Sequence, residues 1–155
     1  MRSILLASLL IITCACASAR PRELQLHPDV AKSLEIFYQN MSAEFVFCAH
    51  GEVKSGIIRI DQLTVPRINS TDEWSLNFRP TTCPKKRLLG AVHSHPARSD
   101  MCNFSRLDLE GFLIARFRYD FVYCFDQRIA WNDRENAAQW RANLPAAPRG
   151  VLSQK

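Results

Sequence analysis

Two histidines two residues apart, His93 and His95, close the apolar run Leu88-Leu89-Gly90-Ala91-Val92 of a 155-residue chain. Side chains two apart on a strand point to the same face, so both imidazoles can meet one metal ion without special backbone geometry. Half of the chain's four histidines stand in this tripeptide, more than an ordinary polar strand end calls for. Catalytic zinc takes three protein ligands and keeps one position open for water. A carboxylate is a natural third ligand, because it lowers the net charge of the site and leaves the metal acidic enough to activate water. Ser105-Arg106-Leu107-Asp108 follows nine residues later, after the loop Pro96 to Phe104. It reads as a helix-capping box, with Ser105 at the N-cap and Asp108 reaching back from the third helical position. It reads equally as an Asp turned inward from the first helical turn toward the metal, with a Ser beside it. Asp100, inside the loop, is the alternative third ligand.

These side chains need a scaffold, and the hydrophobic pattern outlines one. A continuous apolar run such as Leu88 to Val92 suits a strand buried on both faces. Pro96 ends it. Ser105 to Arg118 is helical by pattern, with Leu109, Phe112, Leu113 and Phe117 inward. Upstream, Arg20 to His27 reads as an extended lead-in. A helix follows from Pro28-Asp29 to near Asn40, with Val30, Leu34 and Phe37 on its apolar face. Glu44 to Ala49 is a short apolar strand ended by a turn at His50-Gly51, and Gly56 to Val65 is a second strand. Asn69 to Asp72 reads as a polar turn, and Trp74, Leu76 and Phe78 alternate. Asp120 to Phe125 and Arg128 to Trp131 form a closing hairpin around Asp126-Gln127, and Ala137 to Asn143 a last helix. The fold class is α/β of the mixed α+β kind: a single mixed central sheet flanked by helices, in one domain over residues 20–145. Residues 146–155 form a frayed tail.

Taken together, these motifs resemble the JAMM (MPN+, or JAB) zinc metalloisopeptidases. The pattern is an upstream Glu, then His-Ser/Thr-His-Pro, a loop and Ser-x-x-Asp. It stands here as Glu44, His93-Ser94-His95-Pro96 and Ser105-Arg106-Leu107-Asp108, and the resemblance runs from the first helix to Phe125. It implies a JAB/MPN-like domain in which His93, His95 and Asp108 bind Zn2+. It further implies that Glu44 shuttles a proton from water to the leaving amine, while Ser105 donates to the oxyanion. Glu52 competes with Glu44 for the proton-shuttle role. The implied activity is hydrolysis of a peptide or isopeptide bond, with a peptide or protein as substrate. The alternatives are a catalytically silent binding module on the same fold and a secreted toxin or effector carrying the same hydrolase.

The N-terminus places this chemistry outside the cytoplasm. Arg2, the apolar run Ile4 to Ile12 and Ala17-Ser18-Ala19 form a signal-peptide pattern over residues 1–19, too short to persist as a membrane span. Lipidation at Cys14 is the less favoured alternative. Export allows disulfides among Cys48, Cys83, Cys102 and Cys124. The favoured pairing is Cys83 with Cys102, which flank the histidine motif, leaving Cys48 and Cys124 to pair or stay reduced in the core. Loss of Arg2 with the leader takes the net charge from +5 to +4. That mild excess is scattered and not interleaved with aromatics, which argues against nucleic acid as a partner.

Overall fold

The computed structural model describes residues 20–71, 76–95, 102–124 and 127–143. The leader with Cys14, Trp74, Pro96, Asp100, Asp126 and the tail 146–155 lie outside the described residues. In chain order the elements are β1 (Glu23–Leu26), α1 (Pro28–Asn40), β2 (Val46–Lys54), β3 (Ile57–Thr64), β4 (Arg67–Thr71) and β5 (Leu76–Arg79). A 3-10 turn (Pro80–Thr82) leads to β6 (Leu88–Ser94), α2 (Arg106–Ala115), β7 (Tyr119–Tyr123), β8 (Ile129–Asp133) and α3 (Arg134–Asn143). Among the described residues, six strands form one sheet in the order β1-β3-β2-β6-β7-β8, mixed because β1–β3 and β6–β7 are parallel.

Period-two alternation assigns the two sheet faces. Phe47 and Ala49 of β2, Val92 of β6 and Phe121 of β7 turn to one face, where Val30 and Leu34 of α1 cover them. Val46, Cys48, Ala91 and Val122 turn to the other face, under Leu109 and Phe112 of α2 and Ala137 of α3. β2, β6 and β7 are therefore buried on both sides, which is why β6 reads as an unbroken apolar run. Each large side chain taken fully out of water, such as Phe121 or Leu34, contributes about 1.5–3 kcal/mol. Gly90 lets β6 and β7 approach closely: a Cβ there would lie 1.8 Å from the carbonyl oxygen of Tyr119.

The mixed α/β class stands as expected, with four corrections in detail. The expected turn at His50-Gly51 is a β-bulge inside β2. The reversal comes at Ser55-Gly56, where both residues have positive φ, as a tight hairpin between right-twisted strands requires. The extended lead-in is an edge strand, β1, paired in parallel with β3. The polar segment expected to turn at Asn69 is β4, which pairs with β5 in a separate two-stranded sheet, so the sheet is not single. α2 ends at Ala115, because Arg116 adopts the left-handed conformation that closes a helix, and Phe117 packs from the following segment.

The disulfide pairing also differs. The bonds are Cys48–Cys83 and Cys102–Cys124, not Cys83–Cys102. Flanking β6 in sequence means flanking it in space, and seven residues of strand separate its ends by about 20 Å. A disulfide holds its Cα atoms near 5–6 Å, and here they are 5.7 and 5.2 Å apart. Cys83 lies before β6 and reaches Cys48 on β2, the neighbour of Ala91. Cys102 lies past the far end of β6. It meets Cys124, which follows the parallel strand β7 and so emerges at the same end.

Candidate metal centre

β6 delivers the two imidazoles, and the first turn of α2 delivers the carboxylate. His93 faces α2 because its register partners Val46 and Val122 do. His95 follows one repeat later, just beyond the strand. Nε2 of His95 lies 3.1 Å from Oδ2 of Asp108, and Nε2 of His93 lies 3.5 Å from Oδ1 of the same carboxylate. One ligand atom from each residue can be chosen so that all lie within 4.8 Å of one another. Zn–N and Zn–O bonds of about 2.0–2.1 Å set the edge of a tetrahedral site near 3.3 Å. The two separations straddle that edge.

The competing readings of Ser105-Arg106-Leu107-Asp108 are both satisfied by one side chain. The Ser105 hydroxyl accepts from the Asp108 N–H at 3.2 Å, and the Ser105 N–H donates to Asp108 Oδ2 at 2.6 Å, completing a capping box. Asp108 still turns both oxygens toward the histidines. The cap fixes Asp108 against its own helix end and so orients its carboxylate toward the two imidazoles. The Cys102–Cys124 bond ties the approach to this cap to the end of β7.

Electrostatics at the cluster favour a cation. Burial opposes a charged imidazole at His93, but Asp108 on one side and Asp120 on the other outweigh it and push its pKa up to about 10. Burial works to raise Asp108, yet His93 and His95 hold its carboxyl well below the usual range. Burial raises Asp120, against the pull of His93. Nε2 of His93 is buried with no hydrogen-bond partner, directed at Asp108. A divalent cation fits an orphaned nitrogen facing a carboxylate and a second imidazole. Donor type and spacing therefore suit a divalent cation, zinc among them.

A pH dependence follows from the raised His93 value. Without metal, His93 carries its proton at neutral pH, and this ion pair stabilises the fold below about pH 6.5 and fades as pH rises through about 10. A zinc ion taken up through His93 would have to displace that proton. Zinc affinity is expected to rise about tenfold per pH unit between pH 7 and 9, with about one proton released per ion bound. Calorimetric titration in buffers of differing ionisation enthalpy measures the release; none at pH 7 would mean that His93 is neutral or not a ligand.

Glu44 precedes β2 by two residues. Ser94 N–H donates to the Phe45 carbonyl, and Phe45 N–H donates to the Ser94 hydroxyl, both at 3.1 Å. These bonds carry the β2–β6 contact one residue past the Val46–His93 pair, toward Glu44. Glu44 lines a groove of about 580 Å³ with His93, Asp108 and Asp120, walled by Leu76 and Phe78 of β5 and by α2. Glu52, its competitor, is exposed toward the other end of β2, paired with Arg59. His27 caps α1, and His50 is buried with both ring nitrogens bonded, to the Lys86 carbonyl and the Thr64 hydroxyl. Neither belongs to the cluster. Sequence reading missed Asp120, although a lone acid inside Tyr119-Asp120-Phe121-Val122-Tyr123 was a legible signal, since a charge in a buried strand needs a partner.

No family model matches the chain, and no curated protein matches it. Among solved structures, the chain is similar to a JAB1/MPN domain protein from Archaeoglobus fulgidus at 20% identity and a TM-score of 0.48, over 73% of this chain and 90% of that one. At that level the likeness stands as an observation only. No helix among the described residues is long and apolar enough to cross a membrane.

Proposed function

We propose that this chain is an exported, zinc-dependent hydrolase of peptide or isopeptide bonds, of the JAMM type, with His93, His95 and Asp108 holding the metal. The observation that carries this reading is the convergence of the two Nε2 atoms on one carboxylate at 3.1 and 3.5 Å, in a groove that also contains Glu44. Bound there, zinc supplies Lewis acidity toward the scissile carbonyl and lowers the pKa of water. Glu44 takes a proton from the attacking water and returns it to the leaving amine, the double duty of a general base and acid. The Ser105 hydroxyl accepts from the Asp108 N–H and carries one hydrogen, which also lies within reach of the Asp108 carboxylate. Donation to the developing oxyanion uses that hydrogen, an interaction worth about 3–4 kcal/mol where measured in other enzymes.

The groove supports a peptide as substrate. Its walls are apolar, and Leu107 and Ile114 of α2 are about 80% exposed on its flank. Gly111 sits between them on α2, costing the helix about 1 kcal/mol relative to Ala while nothing packs where its Cβ would be. The bare strip leaves room for an extended chain. Both disulfides support export, since such bonds persist in oxidising compartments. The deciding experiment is cleavage of a quenched degenerate peptide library and of isopeptide-linked conjugates by zinc-loaded protein. Cleavage that stops with a chelator and returns with zinc supports the reading; no cleavage of either panel by fully loaded protein counts against it.

A further inference from the structure

Asp120 lies outside the proposed ligand set, yet it is only 4% exposed and points at the metal cluster from β7. Its Oδ1 stands 3.6 Å from Nδ1 of His93, on the side of the ring away from Asp108. The ring is thus flanked: Nε2 faces the candidate ligand Asp108, and Nδ1 faces a buried carboxylate. That separation is an electrostatic contact, and a closure of about 0.5 Å makes it a hydrogen bond. The register explains the placement. His93 pairs with Val122, so Asp120 lies one repeat back on the same face of the adjacent parallel strand. Its opposite neighbour on β8 is Asn132, also buried, whose Nδ2 has no hydrogen-bond partner. Directly opposed side chains in an antiparallel pair sit about 5 Å apart at Cβ, so Asn132 and Asp120 share one buried polar patch, in which Asp120 Oδ1 also accepts the Phe121 N–H at 3.2 Å. Buried polar groups are costly unless satisfied, and three in a row across β6, β7 and β8 lead to the orphaned Nε2 of His93.

We propose that Asp120 is a positioning residue for His93: its carboxylate holds the proton on Nδ1, so that Nε2 presents its lone pair to the metal. This rests on the proposed metal site and adds the group that sets the tautomer and angle of one ligand. A ligating imidazole held in this way by a carboxylate typically binds metal 10–100-fold more tightly than one without it.

The test is zinc affinity by competition with a chromogenic chelator, alongside the imidazole Nδ1–H resonance of His93 in zinc-loaded protein. In wild type that proton is expected to be protected from exchange. Asp120→Ala is expected to bind zinc 10–100-fold more weakly and to lose the protection, while metal-free protein melts no less cooperatively than wild type. Asp120→Asn keeps an acceptor oxygen without the charge, so its affinity should fall between the two. It also carries the test if the Ala variant does not fold. Affinity within twofold of wild type in a folded variant, with the proton still protected, overturns the assignment and leaves the metal site standing. Wild-type protein that takes up no zinc overturns both.

Discussion

Glu44→Gln is expected to bind zinc as wild type does and to hydrolyse substrate between a hundred and ten thousand times more slowly. General acid–base groups contribute on that order, or roughly 3–5 kcal/mol of barrier. The expectation follows from where Glu44 is held. Two hydrogen bonds between Phe45 and Ser94 carry the β2–β6 contact past His93, and the next residue, Glu44, lines the groove with His93 and Asp108. Glutamine keeps the shape and the polar contact but cannot accept and return a proton. The rate should fall in kcat, with KM little changed, because the loss is confined to the transition state. Glu52→Gln, toward the far end of the strand, should leave both constants alone. Full activity in metal-loaded Glu44→Gln removes Glu44 from its role.

Asp108→Ala carries the second large effect, and it acts on two properties at once. The same oxygen, Oδ2, accepts the Ser105 N–H and faces His95 Nε2. Truncation should cost about 0.5–2 kcal/mol of stability through the lost cap and should lower zinc affinity by more than the roughly 10–100-fold that loss of a partner behind a ligand costs. Asp108→Asn separates the two. Its amide oxygen can still accept the cap bond, so stability should largely return, whereas the uncharged ligand should not restore the metal. Metal analysis of the purified variants beside His95→Ala, with thermal melts in chelator, reads both effects. Full zinc in Asp108→Ala would move the third ligand to another carboxylate, with Asp100 the first to replace.

Local sequence was enough for the parts that local physics governs. The two-residue spacing of His93 and His95 put both rings on one face, because strand geometry alternates without regard to what lies nearby. The pattern Ser105-x-x-Asp108 announced a capped helix start, since a cap is a contact between residues three apart. The apolar run into His93 announced a strand covered on both sides. Composition and the cysteine count pointed to disulfides, though not to their partners.

Partnership was decided only in three dimensions. Whether Asp108 was a cap or a candidate ligand could not be chosen from the motif, and the folded chain makes it serve as the first while facing both histidines. Glu44 and Glu52 are equivalent by residue type; only the folded chain sets one in the groove with His93 and Asp108 and the other, exposed, toward the far end of β2. Cys102 finds Cys124, and Asp120 finds His93, because β7 lies parallel to β6, a pairing that α2 must cross over to complete. Periodicity states which face a side chain takes, but carries no record of which strand will lie alongside or in what register. That choice depends on burying both faces of the sheet at once, an energy shared by the whole chain and legible in no single segment of it.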